Sequence, residues 1–398
     1  MKNGQPTRVT RRLEVQSPEE IPFYVPWVTR EDRKAFCDAL KSRWLTGGPQ
    51  AAKFEKAFAS YVGSKHAVAV SSCTAALHLA MRVLGIGTGD EVIVPVLTFA
   101  ATANAPVFCG ARPVFADIDE RTFNTSPMDM LERITNKTKA IIPVHFGGQP
   151  CDMKELLEIA EDHKLFVVED CAHSLGAEYE GTKTGNFGAM GCFSFYPTKI
   201  ITTLEGGMLT TNDEKIDKKL RTLREHGMSK TALERESNTT WHYDVVDLGY
   251  NYRLSDPQAV LGMAQLKRIK EGIRRRTRKA NHYTAKLNKC AGIIPPYKAA
   301  NRSHIFHLYT MKVQKNKAGI TRDEMFTKLQ RQGIQTSVHY TPLHRMSFYK
   351  QFIIGDPRPF PSADRIYEEI LSLPLYPTLT VKNIDSITAK IKEATVSK

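Results

Sequence analysis

The sequence has no apolar run approaching the ~20 residues that a membrane span requires, no Cys-x-x-Cys pair, and no repeated or low-complexity segment. Neither a Gly-x-Gly-x-x-Gly nor a Gly-x-x-x-x-Gly-Lys-Ser/Thr stretch occurs, which argues against a dinucleotide fold and a P-loop. The seven cysteines (Cys37, Cys73, Cys109, Cys151, Cys171, Cys192, Cys290) are odd in number and widely spaced without zinc spacing, so reduced thiols and no metal site are expected. Residues 1–20 are polar, and no apolar segment follows their positive charges. They are expected to form a tail rather than a secretory signal, and the protein is expected in the cytoplasm.

What is present suits a two-domain chain: 398 residues, 41% hydrophobic and 25% charged. The formal net charge is +14, and much of the excess lies in one block, "KRIKEGIRRRTRK", from Lys267 to Lys279. That block continues a helical pattern beginning near Asp256 and reads as a solvated helix face. It has no interleaved aromatics for base stacking, so no nucleic-acid partner is expected, and the charge fits anionic small-molecule substrates.

"TREDRKAFCDALKS" reads as a helix capped by Thr29, and "FEKAFASYVG" as a second ending on Gly63. From Lys65 onward, apolar runs alternate with helical patterns: "HAVAVS", "EVIVP", "PVFADI", "KAIIPVHF" and "LFVVED". This alternation predicts an α/β fold with a mostly parallel sheet covered on both faces, and a site at the carboxyl ends of its strands. A large domain over residues 21–265 and a smaller one over 266–398 are expected, joined by a continuous helix.

Three stretches meet that rule. In "VSSCTAALHLA" a strand runs into a helix start, where the amides around Thr74 and Ala75 can bind a phosphate; a plain cap by Ser72 or Thr74 is the competing reading. In "FVVEDCAHS", Asp170 ends a buried strand and needs a cationic or hydrogen-bonding partner, unless it caps the next segment; His173 follows three residues later. In "GCFSFYPTKIITTLEGG", Ser194 and Lys199 flank Pro197, and the stretch closes on Gly206-Gly207. A desolvated lysine there is a neutral amine able to condense with a carbonyl.

In that order, and with "WLTGGP", "GDEVIVPVLTFAATANA", "PVHFGGQPCDM", "LREHG", "GYNYRLSDPQAVLG", "HYTPLH" and "LSLPLYP", the chain resembles the DegT/DnrJ/EryC1/StrS family of nucleotide-sugar aminotransferases. The resemblance runs from about Pro26 to Thr380. It implies the fold type I architecture of pyridoxal-phosphate (PLP) enzymes, with a smaller C-terminal α+β domain, PLP as cofactor, and a homodimer with shared active sites. Lys199 matches the lysine that takes up the coenzyme's aldehyde, and Asp170 the carboxylate paired with its ring nitrogen. His173 stands where relatives have glutamine or histidine beside the phenolic oxygen, and Phe99 matches the stacking aromatic. Thr74, Ala75 and Ser194 match phosphate-binding positions. Asn251 matches a residue reaching the phosphate from the neighbouring subunit, a turn residue being the other reading.

The resemblance further implies glutamate as donor and a nucleotide-linked keto-deoxysugar as acceptor, 4-keto more often than 3-keto. Arg253 and Arg274 to Arg276 are candidates for the acceptor's diphosphate; His145, His339 and Tyr340 are candidates on the sugar side. A sugar dehydratase of the same fold is disfavoured by lysine at position 199, and a non-enzymatic regulator by the presence of both Lys199 and Asp170.

Overall fold

The computed structural model of the protein describes residues 20–353 and 358–395. The tail expected over residues 1–20 therefore lies, apart from Glu20, outside the described residues.

Thr29 caps the helix Arg30–Ala39 through a reciprocal box with Asp32, and Gly63, at φ 93°, closes the helix Pro49–Val62. The first five strands are β1 (His66–Val70), β2 (Glu91–Pro95), β3 (Arg112–Ala116), β4 (Thr138–Ile141) and β5 (Phe166–Asp170). A short hairpin, β6 (Glu178–Tyr179) and β7 (Thr182–Lys183), precedes β8 (Met190–Ser194) and β9 (Gly207–Thr211). One seven-stranded sheet forms in the order β1-β9-β8-β5-β4-β2-β3. Pairing is parallel from β8 through β5, β4 and β2 to β3, and β9 alone runs against its neighbours β1 and β8.

Neighbouring residues of a strand enter opposite cores. Val92 and Val94 pack with the helix Cys73–Val83, while Ile93 packs with Met153 and Leu156 of the helix Met153–Asp162. Both faces are thus covered, which explains strands apolar at nearly every position. The polar exceptions mark the site.

The second unit is an antiparallel sheet of β10 (Ile293–Ile294), β11 (Tyr309–Val313) and β12 (Ile370–Leu373). Its core includes Tyr283, Leu329 and Ile387 from the helices Ile269–Leu287, Arg322–Arg331 and Val381–Ala394. The continuous linking helix is corrected to two, Asp256–Leu266 and Ile269–Leu287. Arg268 leaves helical geometry between them at φ −113° and ψ 12°, where its guanidinium pairs with Asp32 and donates to the Trp27 carbonyl at 2.8 Å. The N-terminal strand-like segment crosses to this unit. The Ile21 amide donates to the Gly333 carbonyl at 2.8 Å, and Ile21 shares a core with Ile334.

Among the described residues no helix is long and apolar enough to cross a membrane.

Candidate active site

Lys199 lies in the loop 195–206, which leaves the carboxyl end of β8 and returns as β9. Two threonines fix the loop: Thr202 donates its hydroxyl to the Phe195 carbonyl at 2.9 Å, and Thr203 to the Glu205 carbonyl at 2.7 Å. The Thr202 amide donates to Gln265 Oε1 at 3.0 Å, tying the loop to the helix Asp256–Leu266. The half-buried Lys199 side chain lines a cavity with His173, His307, His339, Tyr340 and Tyr24. Burial pulls its amine down from 10.5 to about 8, while Cys73 and the Asp170 carboxylate act in the other direction.

Asp170 ends β5 and is buried. Its Oδ2 accepts from Thr102 Oγ1 at 2.8 Å and its Oδ1 from the Ala172 amide at 3.0 Å. Burial raises its carboxyl above the usual range, and those two hydrogen bonds and Lys199 oppose the rise. Among the described residues it has no ion-pair partner. A buried carboxylate so placed favours a cationic ligand.

The helix Cys73–Val83 opens toward the same edge. Ser72 is its cap and accepts the Ala75 amide at 3.1 Å. The expectation that the Ala75 amide is free for a phosphate is therefore corrected, leaving the amides of Cys73 and Thr74 at the mouth. Ser194 pairs in register with Gly207, and Gly207 runs against that mouth. A Cβ on Gly207 would stand 2.5 Å from the Ser72 carbonyl carbon, so a glycine is required for β9 to pass.

His173 is buried and neutral, its imidazole held well below its ordinary range by burial and by Lys199. The Gly147 amide donates to His173 Nδ1 at 3.3 Å, so Nε2 carries the proton and donates to Tyr340 Oη at 3.1 Å. The Tyr340 hydroxyl proton is left for another acceptor. Phe99 is 61% exposed at the start of the helix Ala100–Phe108 and faces the Tyr340 ring at 6.0 Å between centroids. His339 stacks on Phe23 at 5.5 Å and engages Ser372 Oγ through Nδ1 at 2.9 Å. Burial lowers its imidazole to about 4.

One substrate candidate is corrected. His145 is fully buried: its Nδ1 accepts from the Cys151 amide at 3.0 Å and its Nε2 donates to Glu169 Oε2 at 3.1 Å, so it has no face for a sugar. His145, Glu169 and Cys171 are close enough to suggest a metal cluster, yet Glu169 is already bonded to the amides of Gly185, Phe187 and Gly188. Arg253 faces Glu225 at 3.7 Å.

Within the arginine block, Arg276 is committed elsewhere. Arg276 is buried and donates to the Leu375 carbonyl at 2.7 Å, while Arg274 and Arg275 each pair with Glu271 at 2.7 Å. With Arg276 and Lys279 both buried, the block is not the uniformly solvated face expected. Asn251 is exposed.

Sequence reasoning missed Thr102, His307, Phe23 and Tyr24. Thr102 lies three residues after Phe99, one helical turn along, a spacing that could have been read; the other three reach the cavity by long-range packing.

The arrangement joins an amine with a substantial neutral fraction at neutral pH, a buried carboxylate and an anion-binding helix mouth. The DegT/DnrJ/EryC1/StrS aminotransferase family model matches residues 26–392. The spore coat polysaccharide biosynthesis protein SpsC of Bacillus subtilis is 44% identical over 94% of this chain and 96% of its own length. A UDP-4-amino-4-deoxy-L-arabinose–oxoglutarate aminotransferase of Shewanella sediminis is 35% identical over 95% of this chain and 98% of its own. The PLP form of the protein Spr1654 from Streptococcus pneumoniae superposes with a TM-score of 0.87 at 31% identity, over 94% of this chain and 98% of that one. The chain thus belongs to the DegT/DnrJ/EryC1/StrS aminotransferase family and is a PLP-dependent sugar aminotransferase.

Proposed function

We propose that the protein moves an amino group from glutamate to the C4 position of a nucleotide-linked keto-deoxysugar, as a homodimer in which Asn251 of the partner subunit completes each site. The observation that carries this reading is the convergence of Lys199, Asp170 and the Cys73–Thr74 helix mouth at the carboxyl ends of β8, β5 and β1. The donor and the aminated carbon are supported by the relative whose name gives both oxoglutarate and a 4-amino-4-deoxy sugar. Seven free cysteines favour a cytoplasmic setting.

The site fits the cofactor through the glycine-dependent cradle beside Ser72, the unpaired buried carboxylate and the depressed lysine. When bound, PLP supplies an electron sink for exchanging an amino group between two substrates. The Cys73 and Thr74 amides, with Ser194, would hold its phosphate at the positive end of the helix. Asp170, whose ionised form the Thr102 and Ala172 hydrogen bonds favour, would pair with the ring nitrogen and keep it protonated. Phe99 would stack on the ring and neutral His173 would stand beside it. Lys199, near its operating pKa, moves the proton at the amino-acid carbon. His339 and Tyr340 meet the sugar.

The test is to incubate the purified protein with PLP, glutamate and a panel of keto-sugar nucleotides, following 2-oxoglutarate and the mass of the sugar nucleotide. One 4-keto member is expected to gain an amine in step with 2-oxoglutarate. If every member of the panel is recovered unchanged, the proposal fails.

A further inference from the structure

Of the imidazoles lining the Lys199 cavity, His173 uses both nitrogens on Gly147 and Tyr340, and His339 uses Nδ1 on Ser372. His307 differs: its Nδ1 is buried and has no hydrogen-bond partner. A polar atom left so in a folded core costs about 1–3 kcal/mol unless a ligand or water satisfies it. The position is held from several sides. The ring lies 4.5 Å from that of His173, the Arg276 guanidinium holds the His307 carbonyl at 3.4 Å, and the Leu308 amide donates to the Gly147 carbonyl at 3.1 Å. Gly148, at φ 100°, admits this segment, since a Cβ there would stand 3.0 Å from the His307 nitrogen.

The cavity measures about 60 Å³. A water needs about 10–15 Å³ of such space, so the cavity has room for at least one, and Lys199, Tyr24 and Tyr340 line it together with His307. Burial, with His173 and Lys199 nearby, keeps the His307 ring neutral, so it presents one lone pair and one N–H.

We propose that His307 is a catalytic residue of the amino-acid half of the reaction, its Nδ1 holding the water that releases the 2-oxo acid beside Lys199. The inference rests on the aminotransferase reading above. That half-reaction consumes one water: the carbon–nitrogen bond of the donor breaks, the water oxygen becomes the carbonyl oxygen of the 2-oxo acid, and both its hydrogens finish on the nitrogen left with the coenzyme. Lys199 and His307 stand on the same small volume, so the amine that moves the carbon-bound proton also adjoins the water's protons.

The test compares His307→Leu, which removes both ring nitrogens, with His307→Asn, whose amide falls where Nδ1 was. In single-turnover experiments with PLP-loaded protein and glutamate, His307→Leu is expected to release 2-oxoglutarate about 100-fold more slowly. Its visible cofactor band and its half-saturating glutamate concentration are expected to stay unchanged. His307→Asn is expected to recover to within about tenfold of the wild type. Independently of turnover, a crystal structure of the cofactor-free protein is expected to show water within about 3.2 Å of His307 Nδ1, absent from the leucine variant.

Wild-type release in His307→Leu overturns the proposal, as do equal losses in both variants or cofactor loss in both, which would mark a packing role. A wild-type protein that releases no 2-oxoglutarate from glutamate overturns the proposed glutamate donor instead.

Discussion

Thr102 donates its hydroxyl proton to Asp170 across 2.8 Å, which requires Thr98, 2.9 Å from Thr102, to donate to Thr102 in turn. The two threonines, one turn apart at the start of the helix Ala100–Phe108, thus form a directed chain ending on the carboxylate. Burial pushes Asp170 toward its neutral form, and this chain is one of the contacts that opposes it. Thr102→Val keeps the shape and removes the donor. A hydrogen bond to a charged group contributes about 1.5–3 kcal/mol, so we expect kcat to fall ten- to a hundredfold and PLP to bind more weakly, with Tm little changed. Asp170→Ala should cost more, by orders of magnitude in kcat. Titration of cofactor affinity by fluorescence, alongside kcat, checks both; an unaffected valine variant would mean that the Ala172 amide suffices.

The depressed Lys199 amine makes a second expectation concrete. At pH 7.5 an amine titrating at about 8 is roughly one-quarter neutral, against about one part in a thousand at the ordinary 10.5. Capture of PLP by cofactor-free protein should therefore accelerate from pH 7 to 9 with a midpoint near 8, and Lys199→Ala should lose the visible band. Stability follows the same shift. Between pH 8 and 10.5 the unfolded chain binds more protons at this site than the folded one, so Lys199 should make the fold more stable as pH rises through that window, relative to Lys199→Met. Stopped-flow absorbance and denaturant titrations at several pH values measure the two effects. A midpoint above 10 would place the amine in ordinary solvent.

Most of the fold was legible because helix caps and strand patterns are local. Thr29, Ser72 and Gly63 stop or start helices within a residue or two of their expected places. The site was legible where it follows strand ends, as at Asp170 and Ser194. What remained hidden depends on distant partners. His145 has the composition of a ligand-facing histidine but is closed off by Glu169, and Arg276 lies among solvated arginines yet turns inward to a carbonyl 99 residues away. His307 sits in an apolar run whose period says only that it is buried. The crossing of residues 20–25 to the C-terminal unit leaves no local trace.

Glu169 and Asp170 are adjacent on β5 and so face opposite sides of the sheet. Glu169 bonds His145 and three amides of the 185–188 turn away from the Lys199 cavity. Glu169→Ala would strand those donors in the core, and loss of one partner from a buried network costs about 3–5 kcal/mol. We expect a large fall in Tm, while any folded protein at low temperature keeps a PLP affinity near the wild type. Thermal unfolding and cofactor titration separate the two quantities. A small change in Tm would indicate that water replaces the carboxylate.

The proposed sharing of the site between subunits can be tested by mixing variants. Asn251 is exposed on its own protomer. Lys199→Ala and Asn251→Ala should each be impaired as homodimers. If each site draws Lys199 from one protomer and Asn251 from the other, mixing the two variants in equal amounts under conditions of subunit exchange creates heterodimers with one site carrying both defects and one carrying neither. Random pairing makes half the dimers mixed, so activity should recover to about one-quarter of the wild type. If both residues served the same protomer, every site in the mixture would carry one defect and no recovery would appear. The assay therefore separates a shared site from a self-contained one without a structure of the dimer.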